Sequence, residues 1–186
     1  MRKSWSSLLT LLAIVWQGAA LPADAKTVHS GFRGYGDVAQ YAIPALAAGG
    51  ALVDGDYAGL KQFALSGVTT FAATQGLKAV VHEERPRGGG NDSFPSGHTA
   101  AAFAGASFVH YRYGWEWGIP FELAAAAVGV SRVESHEHHW QDVVGGALIA
   151  HAASFVFVDP KDSTVTLLPF TDLRKPAFGI VASIHF

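Results

Sequence analysis

Apolar stretches of about 12 to 18 residues, dominated by alanine and glycine, recur along this chain between breaks made of Gly, Pro and Asp. Their apolar residues fall at helical spacing, and side chains this small let helices approach closely. Asp37 is a plausible N-cap for a helix over Val38–Val53, which carries Ile43, Leu46 and Leu52 and is interrupted by Pro44. Asp54-Gly55-Asp56 breaks the chain before a longer helix over Tyr57–Val81, with Lys78 in its last turns, where a cation complements the helix dipole. Pro86 and the Gly88-Gly89-Gly90 loop stop it. A third helix is expected over Gly97–Tyr113. Gly114 and Gly118 frame a short aromatic connector with Trp115 and Trp117, read as a packed loop. A fourth helix is expected over about Pro120–Val130, and a fifth, opened by Asp142 or the residues just before it, runs through Val158 and is ended by Asp159-Pro160. The expected fold class is therefore all-α, a bundle of about five core helices.

The two ends of the chain differ from this body. Arg2 and Lys3, an apolar run over Leu8–Trp16 and the small residues Ala23-Asp24-Ala25 follow the order of a secretory signal peptide. The rival, an uncleaved membrane helix, needs a run of roughly 20 apolar residues. Removal would leave a mature chain starting near Lys26. At the other end, residues 165–169 and 178–186 read as two short strands, with Phe178, Ile180, Ile184 and Phe186 on one face at period two. The domain reading is residues 1–25 as the signal, 26–160 as the helical domain and 161–186 as a tail carrying a small β-hairpin over part of the core.

Composition narrows the classes further. Apolar residues are 49% of the 186 and charged ones 15%, toward the membrane-associated edge of the globular range. Gln40, Gln75, His110, Glu122 and His151 interrupt the apolar segments, which favours close-packed helices outside the bilayer over membrane spans. The formal net charge of −2 and the absence of a basic stripe argue against nucleic acid. Without cysteine there is neither disulfide nor thiolate chemistry.

The chemistry-bearing residues form two clusters. Lys78, then Arg85-Pro86, a Gly-rich loop and Pro95-Ser96-Gly97-His98 place two cations and a histidine at a helix start. There the unpaired N–H groups and the dipole favour an anion. Downstream come Ser131-Arg132, His138 and Asp142. His138 and Asp142 are one helical turn apart, so the carboxylate can hold one imidazole nitrogen and leave the other to attack. Lys78, Arg85 and Arg132 can neutralise phosphate oxygens, Ser96 and the Gly97 amide can donate to them, and His98 can protonate a leaving alkoxide. Such a set performs phosphoryl transfer by positioning and charge, without a metal or other cofactor. His136, His138 and His139 invite a zinc reading, but Trp140 stands where a His-Glu-x-x-His motif needs its second histidine, so no metal is expected. Singly, each of these residues is more often a dipole partner, a structural hydrogen bond or a cap.

In ordered combination, Lys78-x6-Arg85-Pro86, Pro95-Ser96-Gly97-His98 and Ser131-Arg132-x5-His138-x3-Asp142 resemble the complete signature of the type 2 phosphatidic acid phosphatase superfamily. That superfamily includes lipid phosphatases, bacterial class A non-specific acid phosphatases and vanadium haloperoxidases. The resemblance implies a helical bundle and a covalent phosphohistidine intermediate. His138 would be the nucleophile, Asp142 its orienting partner, and His98 the acid that later activates water. Lys78, Arg85, Ser96, Gly97 and Arg132 would bind phosphate. The expectation is an exported, periplasmic and membrane-surface phosphatase acting on a phosphomonoester or a lipid-linked diphosphate. A soluble acid phosphatase is the alternative. A vanadate-dependent haloperoxidase and a non-catalytic envelope protein rank lower. The leaving group and the oligomeric state stay open at this point.

Overall fold

The computed structural model describes residues 25–161, 165–172 and 177–184. Five helices form the body: α1 Ala25–Val53, α2 Tyr57–Val80, α3 Gly97–Tyr113, α4 Trp115–Glu134 and α5 Trp140–Phe157. The all-α bundle expected from the sequence is the fold. Helix α3 is its centre and packs against all four of the others. Phe108 and Val109 of α3 meet Phe121 and Val128 of α4 in a fully buried core, completed by the small side chains of Ala47, Ala51, Ala102, Ala106 and Ala125. Burying a side chain such as Phe108 contributes about 1.5–3 kcal/mol, while the alanines let the helix axes come close enough for that contact.

Two helix starts differ from the sequence reading, and α4 also runs on to Glu134, past the expected end at Val130. Asp37 is not a cap, because α1 runs unbroken from Ala25 through Gly36 and Pro44. Tertiary packing overrides the weak helix propensity of glycine here: a Cβ on Gly36 would lie 2.0 Å from Ser131 Oγ and 2.5 Å from Arg132 Nη2, so only glycine lets α4 lie this close. Inside the helix, Asp37 is free to turn its carboxylate to other elements. The aromatic connector is also helical. Gly114, at φ 85°, makes the whole turn by itself, so Trp115 and Trp117 belong to the first turns of α4.

Pro44 interrupts the hydrogen-bond ladder of α1, and α3 packs against that point. A Cβ on Gly105 would stand 2.6 Å from Pro44 Cα and 2.7 Å from Pro44 N, both backbone atoms that cannot rotate away. Gly105→Ala is expected to lose about 1–3 kcal/mol by overpacking, read as a lowered midpoint in urea unfolding. A midpoint equal to the parent's would show that α1 and α3 separate freely.

Helix α2 starts after the Gly55 turn (φ 66°), with Asp56 as N-cap accepting from the Gly59 amide at 2.9 Å. Strands β1 Val165–Asp172 and β2 Ala177–Ile184 pair antiparallel, from Val165 opposite Ile184 to Asp172 opposite Ala177. Phe186, one of the residues assigned to a single hairpin face, lies outside the described residues, as does the N-terminal segment 1–24. Among the described residues no helix is long and apolar enough to cross a membrane.

Candidate active site

The two sequence clusters meet where the N-termini of α3 and α5 converge. A backbone bond fixes them: the Ser96 amide donates to the Asp142 carbonyl at 2.9 Å. Gly146 allows this closeness, since a Cβ there would sit 2.6 Å from the Ser96 carbonyl oxygen. Helix α4 ends at Glu134, and His136 adopts a left-handed conformation (φ 55°), the common way to close a helix C-terminus. The turn brings Glu137 and His138 back over the end of α4, with the Glu137 amide bonded to the Arg132 carbonyl at 3.0 Å.

His138 is almost fully buried, with Nδ1 3.3 Å from Asp142 Oδ2 and 3.5 Å from Ser93 Oγ. Asp142 is completely buried and anchored by the Ser93 hydroxyl and by the His139 amide at 2.8 Å. The carboxylate therefore claims Nδ1, and Nε2 is the nitrogen left for chemistry. Burial lowers the His138 pKa to about 4, and Arg85 and Lys78 push the same way against the opposing pull of Asp142. The imidazole is thus neutral near pH 7, the form in which an imidazole nitrogen can act as a nucleophile.

The cations lie around it, each already matched to an oxygen. Arg132, only 1% exposed, reaches Asp37 Oδ1 at 2.6 Å and the Arg33 carbonyl. Arg85 holds Asp92 with two parallel bonds of 3.0 and 3.1 Å. Lys78 bonds to the carbonyls of Asp92 and Ser93, and its burial lowers its pKa. His98 Nε2 lies 3.4 Å from the same Asp37 oxygen that takes Arg132. Burial and then Arg132 lower the His98 pKa, with Asp37 opposing.

Ser96 is the N-cap of α3 and is fully buried. Its Oγ accepts from Thr99 N at 3.4 Å and from Thr99 Oγ1 at 3.0 Å, which leaves the hydroxyl hydrogen as its donor. The Gly97 amide is one of the helix's unpaired first-turn donors.

All eight sequence-derived residues are thus in one neighbourhood: Lys78, Arg85, Ser96, Gly97, His98, Arg132, His138 and Asp142. The sequence reading missed the carboxylates and hydroxyl that position them, namely Asp37, Asp92, Glu137 and Ser93. Their signal was weak, since each looked like an ordinary cap or loop residue. The trio His136, His138 and His139 does not form a metal cluster. Among the described residues, the ligand atoms that converge are those of Glu83, His139 and Asp142, all within 4.8 Å, and the Asp142 carboxylate there is already engaged with Ser93 and His138.

A buried histidine–carboxylate pair beside Lys78 and Arg85, with Arg132 next to a second histidine at a helix start, is an arrangement chemically suited to phosphoryl transfer. The family follows from sequence comparison: residues 59–160 match the model of the PAP2 superfamily. The chain is 30% identical to the lipid A 4'-phosphatase of Helicobacter pylori over 84% of its own length and 83% of that protein's. It is 40% identical to lipid phosphate phosphatase 2 of Arabidopsis thaliana over 44% of its length and 31% of the plant protein's. It is 39% identical to the lipid A 1-phosphatase of Porphyromonas gingivalis over 35% of its length and 15% of that relative's. The chain therefore belongs to the PAP2 superfamily and is by class a phosphoric ester hydrolase. No solved structure matches it.

Proposed function

We propose that this chain is an exported, metal-independent phosphatase of lipid phosphates that works through a phosphohistidine. His138 Nε2 would attack phosphorus, forming an N–P bond as the P–O bond to the leaving group breaks, and the departing oxygen would take the proton of His98. Neutral His98 would then accept a proton from water as that water attacks phosphorus, forming a new O–P bond as the N–P bond to His138 breaks, releasing phosphate and restoring both histidines. Lys78, Arg85 and Arg132 would exchange their present carboxylate and carbonyl partners for phosphate oxygens. These cations and the amides at the start of α3 supply the charge stabilisation the reaction needs. The order of basic, apolar and small residues over 1–25 supports export.

The observation that carries the lipid reading is a groove of about 420 Å³ that begins at His98 and Gly97 and runs between α1, α2 and α3. Its walls include Pro44, Phe63, Ala101 and Ala104, and its lips are Tyr41 and Phe71, both about two-thirds exposed. The proton donor must face the leaving group, so the leaving group enters a mainly apolar trough. Val68, three residues before Phe71 on the same helix, is also about two-thirds exposed, and an exposed apolar rim of this kind supports contact with a lipid surface.

The test compares phosphate release from phosphatidate in detergent micelles with release from p-nitrophenyl phosphate. A higher kcat/KM for the lipid is expected, and Ala101→Phe should erase most of that preference. Equal kcat/KM for the two substrates would favour a phosphatase of small phosphoesters.

The histidine shifts set a pH profile. The nucleophile must be neutral and the acid protonated, and in the free enzyme both pKa values lie below the ordinary histidine value of about 6.5. The profile of kcat/KM is expected to be bell-shaped and acid-leaning, rising near pH 4 and falling before about 6.5. A rising limb near neutrality would contradict a neutral, buried His138. Stability moves with the same group. The unfolded histidine gains its proton near pH 6.5 and the folded one only near 4, so stability falls as pH drops through that window.

A further inference from the structure

The Asp142 carboxylate carries all its hydrogen bonds on one oxygen. Ser93, His138 and the His139 amide meet Oδ2, whereas Oδ1 is buried with no hydrogen-bond partner among the described residues. His139 Nδ1, beside it, is likewise buried and without such a partner. It lies 3.5 Å from Glu83 Oε1 and 3.6 Å from Asp142 Oδ2. Leaving a buried polar atom unmatched costs about 1–3 kcal/mol, and two of them belong to one small cluster here.

Glu83 is held over the same place. Its carbonyl accepts from the Ser93 amide at 2.9 Å, and Gln141 Nε2 donates to its Oε1 at 2.7 Å. Ligand atoms of Glu83, His139 and Asp142 lie within 4.8 Å of one another. Donors bound at about 2.0–2.2 Å to a tetrahedral ion stand about 3.3–3.6 Å apart, so the two separations measured from His139 Nδ1 already match. One imidazole with two carboxylates suits a divalent transition ion better than Mg²⁺, which keeps to oxygen ligands. The two carboxylate charges outweigh the roughly half a positive charge at the start of α5. The side chains of Glu83 and His139 are 25% and 38% exposed, which gives an ion access from solvent.

We propose that Glu83, His139 and Asp142 form an inhibitory site for a divalent transition ion such as Zn²⁺. Binding at the site stands apart from the phosphatase reading, and the inhibition rests on it. In the proposed reaction positive charge develops on the His138 ring as Nε2 bonds to phosphorus, and the Asp142 carboxylate offsets that charge. An ion on Oδ1 draws the same negative charge to itself, so N–P bond formation slows. A cation beside the site does not repel phosphate. The inhibition therefore falls on kcat and spares KM.

The experiment titrates Zn²⁺ calorimetrically into the full chain without substrate, comparing the native protein with Glu83→Gln and His139→Gln. Each variant is expected to bind at least about tenfold more weakly, since even the outer partners of a metal are worth that much. In parallel, Zn²⁺ should lower the native kcat for phosphatidate in micelles with little change in KM, and Mg²⁺ at the same concentration should not. Glu83→Gln, with its metal-free turnover intact, should need at least about tenfold more Zn²⁺ for the same loss. No binding by the native chain, or binding that both variants retain in full, would overturn the site. A Zn²⁺ effect on KM alone, or one undiminished in Glu83→Gln, would overturn its inhibitory role. If no substrate turns over, the phosphatase reading fails while the calorimetry still decides the site.

Discussion

His138→Ala is expected to reduce phosphate release from every substrate by at least about 10³–10⁴-fold. The side chain is 3% exposed and held by Asp142 through Nδ1, which leaves Nε2 as the attacking atom in the proposed reaction. His139 Nδ1 lies between two carboxylates, 3.5 Å from Glu83 Oε1 and 3.6 Å from Asp142 Oδ2. Asp142→Asn should fall less steeply, because the imidazole stays in place while losing the carboxylate that fixes its tautomer. The readout is single-turnover phosphate release together with acid-labile labelling of the protein by radioactive phosphate. A folded His138→Ala protein that retains turnover would remove the proposed nucleophile.

The largest loss of stability is expected far from the chemistry, at Asp56. Its carboxylate takes Arg112 Nε at 2.7 Å, Arg112 Nη2 at 2.6 Å and Tyr113 Oη at 2.9 Å, and also caps α2 through the Gly59 amide. Arg112 is nearly buried and continues to the Asp159 carbonyl at 2.9 Å, tying the end of α3 to the start of α2 and the end of α5. Removing one partner leaves the other charge buried and unmatched, a loss of about 3–5 kcal/mol. Asp56→Ala should therefore lower the unfolding midpoint steeply, and Asp56→Asn, which keeps the cap but not the charge, should lie between. The Asp56 pKa is lowered in the fold despite its burial, by Arg112 and the Gly59 amide. Its contribution is accordingly present above the unfolded carboxylate value of about 3.9 and lost as pH falls below it. A midpoint for Asp56→Ala within a degree of the parent's would show that the three helices are held by apolar packing alone.

The chemistry was more legible in the sequence than the frame around it. Lys78, Arg85, His98, Arg132, His138 and Asp142 can be read directly because each is a rare residue type in an apolar chain and their spacing carries meaning. Helix α3 was readable to the residue, because Ser96 caps it and Gly114 ends it. The start of α1 was not, since glycines at 31, 34 and 36 look like a loop until Ser131 and Arg132 are seen to need the space at Gly36. Glu137 was equally silent: in sequence it is one acid among three histidines, and only the chain reversal at His136 shows that it faces three arginines. Local pattern records caps and turns. It does not record which distant side chain takes up the room a glycine leaves.

The bond from the Ser96 amide to the Asp142 carbonyl has a kinetic meaning. It staples the turn that bears His98 to the helix that bears Asp142, the partner of His138, so the distance between the two histidines is settled when the chain folds. Such an enzyme has no need to assemble its machinery around each arriving molecule. On the proposed lipid reading, its turnover would be governed by how fast a lipid slides into and out of the trough, and would respond more to the fluidity of the micelle or bilayer that supplies the lipid than to any motion of the protein.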